Sequence, residues 1–177
     1  MGAGDGGYVV HRARLDAKLF AIAIDASADA LADGSWRAKR AGLANTAFVV
    51  AGVERLADEL RAVADEVTVH LPWGSLLAGL VSADGAVLGP LAMLLKPEGE
   101  LRILLSATER DGFAALTASA LIALAPAYAR LGLALVEARA ATPDDSRASR
   151  SSWAKRLGVG RDRSAVLARY RRRDPAS

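Results

Sequence analysis

The chain has 177 residues, 52% of them hydrophobic, and its 23 basic and 20 acidic side chains leave a net charge of +3. This length suits one domain, residues 1–177, with a full hydrophobic core, and the apolar fraction argues against an intrinsically disordered chain. Cysteine is absent and only two histidines occur, which excludes disulfides and thiolate metal sites and leaves no basis for a histidine metal cluster.

Short apolar runs alternate with segments of helical spacing, and this order predicts an α/β fold with a mainly parallel sheet. Ser27 is a suitable N-cap, and Gly132 is suited to end a helix. In chain order the predicted strands are Leu19–Ile24, Thr46–Ala51, Glu66–Leu71, Leu101–Ser106, Leu133–Ala138 and Ser164–Tyr170. The predicted helices are Ser27–Arg40, Val53–Ala64, Gly85–Leu95, Ser119–Leu131 and Ser152–Leu157. We also expect a turn at Lys96–Gly99, a polar loop at Thr142–Arg150 and a frayed tail after Arg171.

The first residues contain a Gly-x-Gly-x-Gly loop, a pattern that lets a ligand approach the backbone closely. Asp25 follows about twenty residues later at the end of a predicted strand, where a carboxylate can accept both hydroxyls of a ribose. The next strand is followed by Val53 and Glu54, where an adenine edge would lie. The predicted nucleotide contacts are Gly2, Gly4, Asp5, Gly6, Asp25, Val53, Glu54, Leu71, Pro72 and Ser75. A flexible N-terminus and a helix-capping Asp25 remain the alternatives.

Basic residues are concentrated in the last quarter of the chain. Between Arg147 and Arg173 lie ten cations and a single acid, Asp162, whereas the other 150 residues have a net charge of −6. Trp153 lies inside this basic segment, and Arg37, Lys39 and Arg40 form a second basic group. Guanidinium groups around an aromatic ring can bind phosphates while a base stacks on the ring. The asymmetry indicates a polyanionic partner, although each cation could also be merely solvated.

Several ordered motifs resemble one protein family along nearly the whole chain. They are Gly-x-Gly-Asp-Gly, Ile-Asp-Ala, Pro-Trp-Gly-Ser-Leu-Leu, Leu-Leu-Lys-Pro-x-Gly and Ser-Ser-Trp-x-x-Arg-Leu-Gly. Together they are similar to the aminoglycoside-resistance methyltransferases of the kanamycin–apramycin type, which modify N1 of adenine 1408 in 16S ribosomal RNA. The resemblance implies a Rossmann-like class I fold with an antiparallel last strand, S-adenosylmethionine as the methyl donor and the small (30S) ribosomal subunit as the substrate.

The resemblance also assigns roles to individual residues. Trp73 and Trp153 would hold the extruded base between them, and Ser151 would contact the target nucleotide. Arg156, Arg161 and Arg163 would bind RNA around that base. Because N1 of adenine carries a lone pair and no proton at neutral pH, positioning rather than a catalytic base would provide the rate. Either tryptophan could instead be a core residue.

One departure from the family concerns the start of the sheet. In the family a strand before the glycine loop lies in the middle of the sheet, whereas here Met1 directly precedes Gly2. We therefore expect the chain to be truncated relative to the family and its sheet to lack that strand. A non-catalytic RNA-binding fragment and a small-molecule methyltransferase of the same fold are the alternatives. We further expect a cytoplasmic monomer with neither a metal nor a membrane partner.

Charge reversal of Arg37 and Arg40 to glutamate is expected to weaken binding to the small subunit and to flatten its salt dependence. When a phosphate contact is lost, fewer counterions are released as the protein binds RNA, so the affinity depends less on the salt concentration. Filter binding over a range of KCl concentrations measures both effects, and an unchanged salt slope would exclude direct phosphate contacts there.

Overall fold

The computed structural model describes residues 1–151 and 163–173, without the side chain of Arg110, and this part forms six strands and six α-helices. The strands are β1 (Ala21–Asp25), β2 (Thr46–Val50), β3 (Ala64–His70), β4 (Leu95–Leu105), β5 (Leu133–Ala140) and β6 (Val166–Arg172). The helices are α1 (Gly7–Leu15), α2 (Ala28–Arg40), α3 (Gly74–Ser82), α4 (Gly85–Leu94), α5 (Ala118–Arg130) and α6 (Pro143–Ala148).

The strands form a sheet in two parts. β1 and β2 pair in parallel, and the second part has the order β3-β4-β6-β5, in which β3 and β4 are parallel and β6 is antiparallel to both neighbours. Within residues 1–151 and 163–173 no ladder joins β1 to β3. The expected α/β architecture, its antiparallel last strand and the gap in the middle of the sheet are all confirmed.

The first residues bridge the gap between the two parts. The amino group of Met1 donates to the carbonyl of Thr68 in β3 at 2.8 Å, and the N–H of Ala3 donates to the carbonyl of Ile24 in β1 at 3.0 Å. In the β1–β2 ladder, Ala21 bonds toward β2, so the peptide groups of Ile24 face the other way, toward the gap. Residues 1–3 therefore occupy one end of the space that a central strand would fill.

The hydrophobic core is divided in the same way as the sheet. The larger cluster lies around β3, β4 and β6 and is covered by α3, α4 and α5, with Leu80, Leu88 and Leu91 completely buried. In the same cluster the rings of Tyr128 and Tyr170 stack with their centroids 4.4 Å apart. A smaller cluster between α1, α2 and β1 is built from Val9, Ala13, Ala21, Ala23 and Leu31. Each part of the sheet thus has its own apolar support.

A ladder of ion pairs crosses the larger part of the sheet. Carboxylates and guanidinium groups alternate along it from α1 to α6, with nitrogen–oxygen distances between 2.7 and 3.5 Å. Its members in spatial order are Arg12, Glu66, Arg102, Glu100, Arg169, Glu137, Arg139 and Asp145. The hydrogen bond from Arg169 lowers the pKa of Glu100, and that from Arg139 lowers the pKa of Asp145. Arg169 is consequently part of the fold rather than of an open cationic tail.

Most predicted elements are present with boundaries shifted by one or two residues. The N-cap role of Ser27 is confirmed by its hydrogen bond from Ala30 N–H, and Gly132 follows α5 with φ 78°. The predicted helix Val53–Ala64 is wrong. Two single turns, Val53–Arg55 and Asp58–Leu60, stand there instead, each followed by an extended residue that turns the chain toward β3.

Other differences lie in segments that the sequence predicted as irregular. The expected turn Lys96–Gly99 is a bulge inside β4, between the pairs Ala64–Leu95 and Glu66–Glu100. α6 replaces the expected polar loop, because Thr142 and Asp145 form a capping box. The expected frayed tail is wrong at Arg172, which pairs with Leu133 in the sheet. α1 and α3 were not predicted, and the predicted helix Ser152–Leu157 lies outside the described residues.

In the described part of the chain no single helix has the length and apolarity needed to cross a membrane. α3 and α4 reach that threshold only as a pair, and the pair is bent by 94° at its junction.

Two glycines in this helix pair allow a matched test of packing. A Cβ at Gly79 would collide with the side chain of Val87 in α4, whereas a Cβ at Gly89 would have no neighbour within 4 Å. Gly79→Ala is therefore expected to destabilise the fold by about 1–3 kcal/mol through overpacking. Gly89→Ala is expected to stabilise it by about 0.5–1 kcal/mol, since alanine favours a helix interior. Urea unfolding measures both, and equal effects would contradict the packing of α3 on α4.

Candidate functional site

A cavity of about 640 Å³ opens at the carboxyl ends of β1, β2 and β3, beside the glycine loop, and extends between the facing edges of β1 and β3. Its volume is in the range of small-molecule sites. The cavity is lined by nine of the ten predicted nucleotide contacts, namely Gly2, Gly4, Asp5, Asp25, Val53, Glu54, Leu71, Pro72 and Ser75, and also by Trp73 and Ser151. The fold thus brings together residues up to about 150 positions apart in the chain.

The glycine loop has the conformation that its composition predicts. Gly2, Gly4 and Gly6 all have positive φ, at 63°, 52° and 66°, which is the left-handed region that favours glycine. A Cβ on Gly4 would meet nothing within 4 Å, so this backbone faces open space. Gly6 does not line the cavity; it precedes α1 and lies against the ring of Phe48. Its position supports a packing role rather than the predicted ligand contact.

Asp25 anchors the glycine loop to the end of β1. One carboxylate oxygen accepts a hydrogen bond from Gly4 N–H at 2.8 Å, and the other accepts one from Ser27 N–H at 2.9 Å. Asp25 therefore lines the cavity and stabilises the turn that leads into α2, whereas the helix-capping alternative is wrong, because Ser27 is the N-cap. Each oxygen keeps a second acceptor position, so the carboxylate can still receive hydroxyl donors from the cavity.

The lining of the cavity suits a nucleoside, with acceptors for the sugar hydroxyls and apolar side chains for the faces of the base. Asp25 offers acceptors on one side, and the side chains of Val53 and Leu71 are 3% and 4% exposed and present apolar surface. Glu54 is exposed at the cavity edge. This combination of carboxylate acceptors and apolar side chains matches the adenosine part of S-adenosylmethionine.

Trp73 is presented at the cavity by an unusual turn. Leu71 has φ 48° although it is not glycine, and Gly74 has φ 60°. Between them the indole of Trp73 is 78% exposed at the start of α3 and lines the cavity. The alternative of a buried core residue is wrong for this ring. Trp153 lies outside the described residues, so the predicted meeting of the two indoles stays a prediction.

The predicted RNA-binding residues on α2 differ in their surroundings. Arg37 donates to the carbonyl of Asp5 at 2.5 Å and lies 3.9 Å from its carboxylate, so it also supports the glycine loop. Arg40 stacks on Trp36 at 4.5 Å, and Lys39 is exposed. Because Arg37 holds the loop, Arg40 is the cleaner position for testing phosphate binding.

Arg163 has an internal role that speaks against its predicted RNA contact. Its side chain is only 14% exposed; it donates to the hydroxyl and carbonyl of Ser106 and forms an ion pair with Asp111. Arg156 and Arg161 lie outside the described residues, and their predicted contacts stay predictions.

Tyr8 and Arg12 line the cavity without having been predicted from the sequence. His70, for which the sequence allowed either a polar neighbour of the site or a packed strand-end histidine, lines it as well. The ring of Tyr8 meets that of His70 edge-on at 4.6 Å. Burial, together with the charges of the Met1 amino group, Arg102 and Arg12, lowers the pKa of His70 to about 4, so its imidazole is neutral at physiological pH. Burial also lowers the pKa of the Met1 amino group to about 6, against the opposing effect of Asp25. The position of Tyr8 directly after the glycine loop is the sequence feature that could have identified it as a lining residue.

The chain matches the model of one protein family over residues 1–171. That family is described as NpmA, 16S rRNA (adenine(1408)-N(1))-methyltransferase. Two similar curated proteins have the same description. One, from Escherichia coli, is 29% identical over 93% of this chain and 81% of its own length. The other, from Streptoalloteichus tenebrarius, is 31% identical over 95% of this chain and 83% of its own length.

Solved structures show the same similarity in three dimensions. A crystal structure of the 16S rRNA (adenine(1408)-N(1))-methyltransferase from Catenulisporales acidiphilia, with cosubstrate SAM, has a TM-score of 0.88 at 27% identity and covers 99% of this chain and 85% of its own. A structure of the aminoglycoside resistance methyltransferase NpmB1 has a TM-score of 0.76 at 34% identity, over 97% of this chain and 84% of its own.

The contact between α2 and the glycine loop can be tested at Gly34. A Cβ there would lie 2.5 Å from the carbonyl oxygen of Asp5 and 3.1 Å from the Cα of Gly6. Gly34→Ala should therefore displace the loop and lower the affinity for S-adenosylmethionine by roughly ten-fold, which corresponds to about 1.4 kcal/mol. Calorimetric titration measures the affinity, and Gly89→Ala is the control on a distant helix. Unchanged affinity would show that α2 does not position the loop.

Proposed function

This chain belongs to the 16S rRNA (adenine(1408)-N(1))-methyltransferase family, and on that premise we propose that it transfers a methyl group from S-adenosylmethionine to N1 of adenine 1408. The observation that carries the proposal is the exposed indole of Trp73 at the mouth of a cavity that also contains the glycine loop and Asp25. A surface on which a base can stack and a surface that can bind a nucleoside thus lie in one site.

The donor side of the site is formed by the loop and the ends of three strands. The backbone of Gly2 and Gly4 allows close approach, and the carboxylate of Asp25 accepts hydrogen bonds from ribose hydroxyls. Val53 and Leu71 enclose the adenine of the donor. When bound, S-adenosylmethionine supplies an electrophilic methyl group on a sulfonium centre.

The acceptor side depends on Trp73. An enzyme that acts on a base edge must unstack that base, and an indole offsets part of the lost stacking, by about 1–3 kcal/mol per base. The indole face also favours a base that becomes positively charged. Ser151 lines the same cavity, and this position supports a contact with the target nucleotide.

The reaction requires no general base from this chain. N1 of adenine has a lone pair at neutral pH, and the product is a cation that loses no proton at N1. His70, with its pKa near 4, is neutral and can orient the base or a water molecule without adding a repelling charge. The residues therefore act by binding and orientation, which suits a reaction driven by alignment of the reacting atoms.

The substrate determines the setting of the reaction. We infer that the chain acts on the assembled 30S subunit in the cytoplasm, as a monomer, and that the modification confers aminoglycoside resistance. The exposed Lys39 and Arg40 on α2 support contact with a structured RNA surface rather than with a small substrate.

A second function, RNA binding without methyl transfer, is favoured by one observation. Among the described residues no strand lies between β1 and β3, and the cavity continues into this space, where exposed Phe20 and Val63 line it. The glycine loop is held there by the first residues rather than by a paired strand. Calorimetric titration with S-adenosylmethionine separates the two functions, because the non-catalytic protein would give no specific heat of binding.

Substitution of Trp73 tests the proposed activity. Trp73→Ala should lower methyl transfer to 30S subunits by at least roughly ten-fold, in line with the loss of about 1–3 kcal/mol of stacking, and leave the affinity for S-adenosylmethionine nearly unchanged. Primer extension on treated subunits reports the product, since a methyl group on N1 blocks base pairing and stops reverse transcription at that nucleotide.

Trp36→Ala is the matched control, because this indole is also exposed but lies on α2 outside the cavity. It should retain the wild-type rate at saturating subunit concentration, where a change in binding through Arg40, which stacks on Trp36, does not limit the reaction. Normal methylation by Trp73→Ala would overturn the stacking role, and the absence of any stop with the wild-type chain would overturn the methyltransferase activity itself.

A further inference from the structure

A second hollow, of about 310 Å³, lies on the other side of the glycine loop. It is lined by Asp5, Gly7, Val10, His11, Arg14, Arg37 and Arg150. Asp5 and Arg150 also line the larger cavity that contains Trp73. The two spaces therefore share a wall, and a group bound in the hollow would lie next to the candidate active site.

The hollow concentrates positive charge from three separate elements. Arg14 comes from α1, Arg37 from α2 and Arg150 from the residue pair after α6. Asp5 is the one carboxylate among the described lining residues, and it already accepts a hydrogen bond from Gly7 N–H and lies near Arg37. Among residues 1–151 and 163–173, no carboxylate is within ion-pair distance of Arg14 or Arg150.

The other cations of the basic segment are used differently. Arg163, Arg169 and Arg173 form ion pairs with Asp111, Glu100 and Glu98, respectively, and Arg147 pairs with Asp144. Arg172 donates to backbone carbonyls next to α4. Folding gives each of these groups a partner within the protein, whereas Arg150 is exposed at the hollow and has no carboxylate partner among the described residues.

Arg150 has an unfavourable backbone conformation. Its φ of 51° is in the left-handed region, which is unfavourable for a residue with a side chain. Its guanidinium lies 3.4 Å from Nε2 of His11. Partial burial and the nearby charges of Arg150, Arg12 and Arg14 lower the pKa of His11. Three arginines line this one hollow, and a bound anion would offset the repulsion between them.

Building on the proposed function, we propose that this hollow binds a backbone phosphodiester of 16S rRNA beside the target adenine, with Arg14, Arg150 and His11 as contacts. Guanidinium groups match the geometry of phosphate oxygens and can form two hydrogen bonds to one phosphate. Because the hollow adjoins the larger cavity, the phosphate held there fixes the register of the strand from which the base is turned out. The hollow extends the basic surface of α2 to α1 and to the residue before Ser151.

Binding of purified 30S subunits over a range of KCl concentrations tests this inference with three variants. Arg14→Glu should weaken binding by roughly ten-fold or more, the usual effect of losing a charged hydrogen bond. It should also make the log–log salt slope shallower by about 0.9. Arg150→Gly should weaken binding in the same way without lowering the melting temperature, because glycine tolerates φ 51°.

Arg130→Glu is the matched control: Arg130 is an exposed arginine at the end of α5 that lines neither cavity. It should bind subunits as the wild-type chain does. If Arg14→Glu and Arg150→Gly, shown to be folded by their melting curves, bind as tightly and with the same salt slope as Arg130→Glu, the phosphate site is overturned while the methyltransferase function stands. If the wild-type chain and Arg130→Glu also fail to bind subunits, the proposed function falls, and this inference with it.

Discussion

The whole site depends on how the first four residues join the two parts of the sheet. Met1 bonds to Thr68 of β3, Ala3 bonds to Ile24 of β1, and Gly4 bonds to the carboxylate of Asp25. These contacts fix the glycine loop over the gap and bring the ends of β1 and β3 to one cavity. Each part of the sheet has its own apolar core, so the loop is the place where two separately supported units become one site.

The charged side chains of this molecule fall into two groups: those that stabilise the fold and those that are available to a ligand. The ion-pair ladder from Arg12 to Asp145 connects α1, four strands and α6. Its arginines are paired with carboxylates and are therefore less available to RNA. Alternating partners across the sheet give each guanidinium of the ladder a carboxylate at hydrogen-bonding distance. Arg14 and Arg150, which have no such partners among the described residues, lie instead next to the glycine loop, where the hollow and the larger cavity meet. The electrostatic attraction for a polyanion is thereby directed at the place where a base would enter.

Much of the candidate site could be predicted because its residues follow strands. Parallel strands place their carboxyl ends at one edge, so Asp25, Val53 and Trp73 could be assigned to a common site from their positions after three apolar runs. The prediction failed where local spacing and tertiary packing disagree. Val53–Ala64 has helical spacing, but the chain must reach β3 within a few residues and forms two single turns. α1 contains the β-branched pair Val9 and Val10 and shows little helical preference by itself; burial of Val9, Val10 and Ala13 stabilises it.

The sequence by itself determined the α/β class, the glycine loop and the positions of an acid after β1 and a tryptophan after β3, since each depends on local conformation or on the alternation of elements. The exposure of Trp73 was decided by the tertiary structure. Tertiary structure alone decided which cations are available for RNA. Arg163 and Arg150 are similar in the sequence, yet one is enclosed by Ser106 and Asp111 and the other faces a basic hollow. The physical reason is that an ion pair requires a partner brought close by folding. Asp111, the partner of Arg163, lies 52 positions away in the chain, whereas folding places Arg150 beside the imidazole of His11, 139 positions away.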